Sequence, residues 1–129
     1  MRNLLSKLLR KKNQNLLNEK EDLVLLLKYQ NFNIGKLWTE DSKYFFSYDK
    51  EFINTDLRPL TGFEDLEKVY SSSVLFPFFE VRIPDMKRED VIKKLQEKHL
   101  DKTASDLKKL LVLGNKTIND PYVLTLRTV

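Results

Sequence analysis

The 129-residue chain contains no cysteine. That excludes a disulfide scaffold, a thiolate metal centre and a cysteine nucleophile, and it suits a reducing compartment, so a cytoplasmic location is expected. Its three glycines, Gly35, Gly62 and Gly114, are widely separated. A phosphate-cradling loop needs several close together, so the sequence carries no ATP-binding signature. The single histidine, His99, lies one helical turn after Leu95 with no catalytic or metal-ligating partner at a recognisable spacing, and it reads as a structural residue at a helix end. The longest apolar run, Leu23 to Leu27, is five residues. A membrane span requires about 20. Ser71-Ser72-Ser73 lacks the glycine-bounded strand-to-helix turn of a serine nucleophile and reads as a loop. The carboxylate pairs Glu40/Asp41, Glu64/Asp65 and Glu89/Asp90 fall in turns or first helical turns, where acidic side chains complement the helix dipole. No catalytic residue, no metal and no cofactor is therefore expected, and the chain reads as a non-enzyme.

What the sequence does contain is apolar surface. Hydrophobic residues make up 41%, including eight Phe, five Tyr and one Trp, enough to offset chain entropy in one compact domain. The formal charge of +4 is unevenly placed. Within residues 1–20, Arg2, Lys7, Arg10, Lys11, Lys12 and Lys20 stand against Glu19, a balance of +5, so residues 21–129 carry −1. The start resembles a signal peptide only superficially, because Lys7 breaks its apolar stretch and no small-residue cleavage site follows; the segment is read as retained.

Leu4, Leu5, Leu8, Leu9, Leu16 and Leu17 recur at helical spacing, predicting an amphipathic helix over residues 3–18, weakened in its middle by Asn13, Gln14 and Asn15. This gives two units: a basic amphipathic segment, 1–20, and a domain, 21–129. Leu23 to Tyr29 and Ile34 to Thr39, joined through Asn31-Phe32-Asn33, read as a hairpin. A third strand spans Lys43 to Tyr48 after the Glu40-Asp41-Ser42 turn. Thr61 and Glu64 have capping-box spacing, and Phe63, Leu66, Val69 and Tyr70 share a face, so a short helix is predicted there. Pro84-Asp85 is expected to open a helix carrying Val91, Ile92, Leu95 and His99. Another begins near Thr103, buries Leu107, Leu110 and Leu111, and stops at Gly114 as a left-handed cap. Tyr122 to Arg127 closes the sheet after the Asn119-Asp120-Pro121 turn. The fold class is α+β: an antiparallel meander plus a closing strand, forming a small sheet or partial barrel with two or three helices.

One segment is unusual: Leu75-Phe76-Pro77-Phe78-Phe79-Glu80-Val81-Arg82-Ile83-Pro84-Asp85. It resembles a hallmark of the N-terminal subdomain of HipA-type toxin kinases, in which two aromatics and an acid lead to a Pro-acidic pair; the matching positions are Phe78, Phe79, Glu80, Ile83, Pro84 and Asp85. Ile34-Gly35-Lys36-Leu37-Trp38, then Tyr44 to Asp49 with Phe52, look like the family's opening strands. The Val91 to Leu100 and Leu107 to Leu111 helices, Gly114 and Val123 to Leu126 follow in the family's order. The likeness covers residues 23–127. Leu60 to Ser73 departs from the pattern, Gly114-Asn115-Lys116 is followed by an insertion up to Pro121, and the segment 3–18 has no counterpart.

In HipA-like proteins this subdomain packs on a Ser/Thr kinase core, and in some operons it is encoded separately, where it binds the kinase toxin and can restrain it as an antitoxin. With the sequence ending at Val129, the resemblance implies a non-catalytic binding module. Its expected partner is a HipA-like kinase lacking its own N-terminal subdomain, together with a DNA-binding antitoxin in the same complex. Leu75, Phe76, Phe78, Phe79, Glu80, Ile83 and Pro84 are the candidate contact residues. The alternative is a nucleic-acid-binding or membrane-surface accessory using Arg2, Lys7, Arg10, Lys11 and Lys12 as its basic contact. No aromatics interleave with those cations, which weakens a single-stranded nucleic-acid role.

Overall fold

The structure, a computed structural model, describes residues 23–127. The predicted helix 3–18, and with it the basic residues Arg2, Lys7, Arg10, Lys11 and Lys12, lies outside the described residues.

Strands β1 (Val24–Tyr29), β2 (Phe32–Glu40) and β3 (Lys43–Tyr48) form the expected meander. The β2–β3 turn places Asp41 at φ 49° and Ser42 at φ 64°, the two consecutive left-handed residues of a type I′ hairpin, whose twist matches that of the strands. A short strand β4 (Tyr70–Ser72) pairs with β3, and β5 (Tyr122–Leu126) pairs with β1. The result is an open, all-antiparallel sheet in the order β4-β3-β2-β1-β5, without barrel closure.

The β1–β2 ladder slips at Leu27/Lys28, so Ile34 and Gly35 together face the single position Leu27. Gly35 is required by the neighbouring strand β3: a Cβ there would lie 2.6 Å from the Ser47 carbonyl oxygen and 2.8 Å from the Phe46 ring.

Among the described residues there are two single-turn helices, α1 (Lys50–Ile53) and α2 (Pro77–Glu80), and two longer ones, α3 (Glu89–Glu97) and α4 (Asp106–Leu113). Several expected boundaries move. The helix predicted from Thr61 does not form; residues 55–69 are loop and Ser71–Ser72 is strand rather than loop. Phe63 explains this, because its ring is inserted at the centre of the core, 4.4 Å from that of Phe46, while Val69, on the same predicted helical face, is 56% exposed. Tyrosine hydroxyls replace the helical hydrogen bonds: Tyr48 Oη accepts from Leu60 N–H and donates to the Phe63 carbonyl, and Tyr70 Oη accepts from Asp65 N–H.

Asp85 accepts from Lys87 N–H in a local turn, so Pro84-Asp85 precedes α3 without capping it; the N-cap is Arg88. Ser105 rather than Thr103 caps α4, accepting from Lys108 N–H. Gly114 follows α4 at φ −113°, not in the left-handed region. It is glycine because a Cβ would meet the Arg82 carbonyl oxygen at 2.6 Å. His99 sits just beyond α3 at φ 59°, exposed, as a helix-end residue.

The core joins one face of the sheet (Leu25, Leu27, Ile34, Leu37, Phe46, Tyr48, Leu124) to Phe63, Leu75, Phe76, Phe79, Leu107 and Leu110. A smaller cluster, Val91, Leu95 and Leu100, joins α3 to α4.

Candidate functional site

The aromatic motif divides into a buried half and a displayed half. Pro77 starts α2, where its fixed φ and missing N–H suit the first helical turn. That turn drives Leu75, Phe76 and Phe79 into the core; Phe79 is fully buried, 5.7 Å from Phe46 and 6.1 Å from Phe63. Phe78 is half-buried and packs edge-on against Phe79 at 5.1 Å. Ile83 and Pro84 are half-buried, Glu80 is exposed, and Val81 is 74% exposed. Of the candidate contact residues, Leu75, Phe76 and Phe79 thus hold the domain together, while Phe78, Glu80, Ile83 and Pro84 reach its surface.

Sequence reasoning missed the residue that fixes this surface. Arg82 is buried, 5% exposed, and its guanidinium is surrounded by acceptors. Nε donates to the Gly114 carbonyl at 2.8 Å. Nη1 donates to both carboxylate oxygens of Asp120 at 2.9 Å, and Nη2 to the carbonyls of Asn115 at 3.1 Å and Tyr122 at 2.9 Å. Asp120 in turn accepts from Tyr122 N–H, and the Asn115 carbonyl also accepts from Leu124 N–H. One side chain therefore joins the end of α2, the C-terminal carbonyl end of α4 and the start of β5. The cation also complements the negative end of the α4 dipole. The signal in the sequence was a lone arginine inside an apolar motif, with an acid just before the closing strand.

This staple shapes the segment after α4. It holds the loop 114–121 beside α2, and that loop carries the fully exposed Ile118. Next to Arg82, an open recess of about 250 Å³ is lined by Val81, Pro84, Arg88, Lys94, Lys116 and Thr117 among others. The described surface here combines isolated apolar side chains with a charged rim of Arg88, Asp90, Lys94 and Lys116.

The perturbed groups are structural. Burial pushes the Tyr48 hydroxyl up to about 12. Burial, then the hydrogen bond to Asp106 at 2.7 Å, pushes Tyr44 up as well, and burial raises Tyr122. Each of these phenols stays protonated, as a donor or a core wall. The Asp101 carboxyl, which accepts from Thr103 N–H and hydroxyl, is held below the usual range in the loop before α4. Among the described residues no three His, Asp or Glu side chains gather as a metal site. Nor is any described helix long and apolar enough to cross a membrane.

No curated protein matches the chain. The family model described as the HipA N-terminal domain matches residues 25–118, from β1 to the loop after α4 that Arg82 ties down. The match spans well over half of the sequence, and the chain belongs to the HipA N-terminal domain family.

Proposed function

We propose that this chain is a non-catalytic protein-binding module that binds and regulates, as an antitoxin, a HipA-like Ser/Thr kinase carried on a separate polypeptide. Family membership is the observation that carries this reading, since it points to a HipA-type toxin–antitoxin context. The mode of action is occupancy: a rigid surface fitted to a larger partner, with no bond made or broken by the chain itself.

The division of the aromatic motif supports a particular docking surface. Leu75, Phe76 and Phe79 are committed to the core, so contact falls to what the motif and its stapled loop display: Phe78 at the edge, Val81, Pro84 and Ile118. Exposed apolar side chains with a polar rim are the composition of a protein interface rather than of a solvated loop. Arg82 orders the α2 and 114–121 backbones before the partner arrives, which lowers the ordering cost of association.

Co-expression with a HipA-like kinase that lacks this subdomain tests the proposal. The wild-type chain should co-purify with the kinase, and Val81→Asp with Ile118→Asp should weaken that binding at least tenfold while the thermal melt stays within a few degrees. Binding unaffected by the double variant would move the contact to another surface. Failure of the folded wild-type chain to bind any such kinase would remove the reading altogether.

A further inference from the structure

The helices packed into the core lie against one face of the sheet, and the opposite face mixes aromatic rings with cations. Alternation along the strands places Val24 and Leu26 of β1, Trp38 of β2, Phe45 of β3 and Val123 of β5 on that outer face, all half-buried. None of the five belongs to either hydrophobic cluster of the described residues. Trp38 and Phe45 are cross-strand partners whose rings stack at 5.6 Å and 16°. Such a pair steadies a hairpin, and that alone would account for the two rings. It does not account for what surrounds them.

The same alternation brings Lys28, Lys36, Lys43 and Glu40 to the outer face, and Arg127 continues it just past β5. Four cations and one carboxylate give a local balance of +3, in a stretch, 21–129, whose formal charge is −1. Lys36 Nζ lies 5.2 Å from the centre of the Trp38 ring. Beside that ring is an open recess of about 340 Å³, lined by Val24, Lys36, Trp38, Thr39, Glu40 and Arg127. Basic and aromatic side chains far apart in sequence are thus interleaved by the strand order β3-β2-β1-β5.

We propose that the outer face of the sheet binds single-stranded nucleic acid, with bases on Trp38 and Phe45 and phosphates on Lys28, Lys36, Lys43 and Arg127. Flat rings take bases of any sequence, and the cations around them neutralise the backbone that joins those bases. Other anionic partners use only half of the surface. A duplex keeps its bases stacked on one another, and an acidic peptide has nothing to lay on the rings. A lipid surface calls for protruding apolar side chains, whereas these are half-buried between the cations. The site lies opposite the core face on which α2 packs, so it does not depend on kinase docking through Val81 and Ile118.

Trp38 is the only tryptophan, so its emission reports occupancy of the face. The full chain is titrated with a short oligothymidylate, an oligouridylate, a duplex of the same length and phosphatidylserine vesicles. Either single strand should quench Trp38, the tighter one naming the preferred sugar. Affinity should fall roughly twenty- to fiftyfold between about 50 and 200 mM salt, as counterion release from three or four phosphates dictates. Lys36→Gln with Arg127→Gln should weaken binding at least tenfold and flatten that salt dependence. Phe45→Leu should weaken it about fivefold or more through lost stacking, each variant being checked by circular dichroism for a folded body. Binding that leaves Trp38 emission unchanged, or that survives the double variant, belongs to another part of the chain and would overturn the proposal. So would equal affinity for the duplex, or a Trp38 response to the vesicles alone. If Phe45→Leu does not fold, the folded double variant decides by the same criteria.

Discussion

Arg82 and Arg88 lie six positions apart in sequence, and each pairs with an aspartate in a different physical setting. Arg82 meets Asp120 across 38 positions of chain, with side-chain exposures of 1% and 22%, and its remaining donors go to backbone carbonyls. Arg88 meets Asp90 two residues away at 2.5 Å, with exposures of 57% and 65%. The second pair holds the Asp90 carboxyl below its usual range through that hydrogen bond, yet it joins nothing distant. Water solvates both of its charges in the unfolded chain and nearly as well in the fold. The first pair has given up its water, so each acceptor around Arg82 must be kept. A pair's value to the fold follows from what would be stranded if one partner left, not from its length.

Urea denaturation of Arg82→Met offers the strongest challenge to this contrast. Removal of the guanidinium takes its donors from the Gly114 and Tyr122 carbonyls and leaves Asp120 and the Asn115 carbonyl with only the Tyr122 and Leu124 N–H groups, and a loss of about 3–5 kcal/mol is expected. Arg82→Lys should recover little, since an ammonium cannot span the fork of acceptors. A loss below about 1 kcal/mol would put the staple in the same class as the surface pair.

The glycine that lets the staple close should be next in size. Gly114→Ala brings a Cβ to 2.6 Å from the Arg82 carbonyl oxygen, and overpacking of this kind costs about 1–3 kcal/mol. Unchanged stability in chemical denaturation would mean that the α2 and α4 ends separate freely.

Tyr48 extends the comparison to a neutral buried group. Tyr48→Phe leaves the Leu60 N–H and the Phe63 carbonyl without their shared partner and should cost about 1–3 kcal/mol at neutral pH. The wild-type hydroxyl holds its proton more tightly in the fold, near 12, than in the unfolded chain, near 10. Its contribution is therefore complete below pH 10 and declines as the pH rises toward 12. Thermal melts at pH 8, 10 and 11.5 should show that decline in the wild type and a shallower one in Tyr48→Phe.

Arg88→Ala sets the lower end, with the smallest change in urea denaturation of the series, one that disappears in high salt. A loss approaching that of Arg82→Met would break the comparison from the other side.

How far these features could be read beforehand depends on range. The meander was legible because alternation and turn chemistry act over a few residues: Lys43 to Tyr48 forms the third strand as read, and Asp41-Ser42 makes the turn. The loop around Phe63 was misread because its helical spacing is equally local, while the force that cancels it comes from Phe46, Phe76 and Phe79, brought to that ring by other elements. Gly114 was rightly picked out and wrongly explained. Its reason is the carbonyl of a residue 32 positions earlier, not its own dihedral angle. The aromatic motif was recognised as special, but its division into core and surface depends on α2, a single turn that periodicity is too short to reveal.

Composition and spacing by themselves determined that this chain makes an α+β body without cysteine chemistry, because residue type and short-range order are written directly in the chain; the likeness to the HipA N-terminal domain came separately, from the motif around Phe78-Phe79-Glu80. Only the tertiary structure decided that Arg82 binds α2, α4 and β5 together, and that Val81 and Ile118 stay outside while Phe79 goes in. Those outcomes rest on groups far apart in sequence competing for the same acceptors and the same dry volume, a contest settled only once the chain has closed on itself.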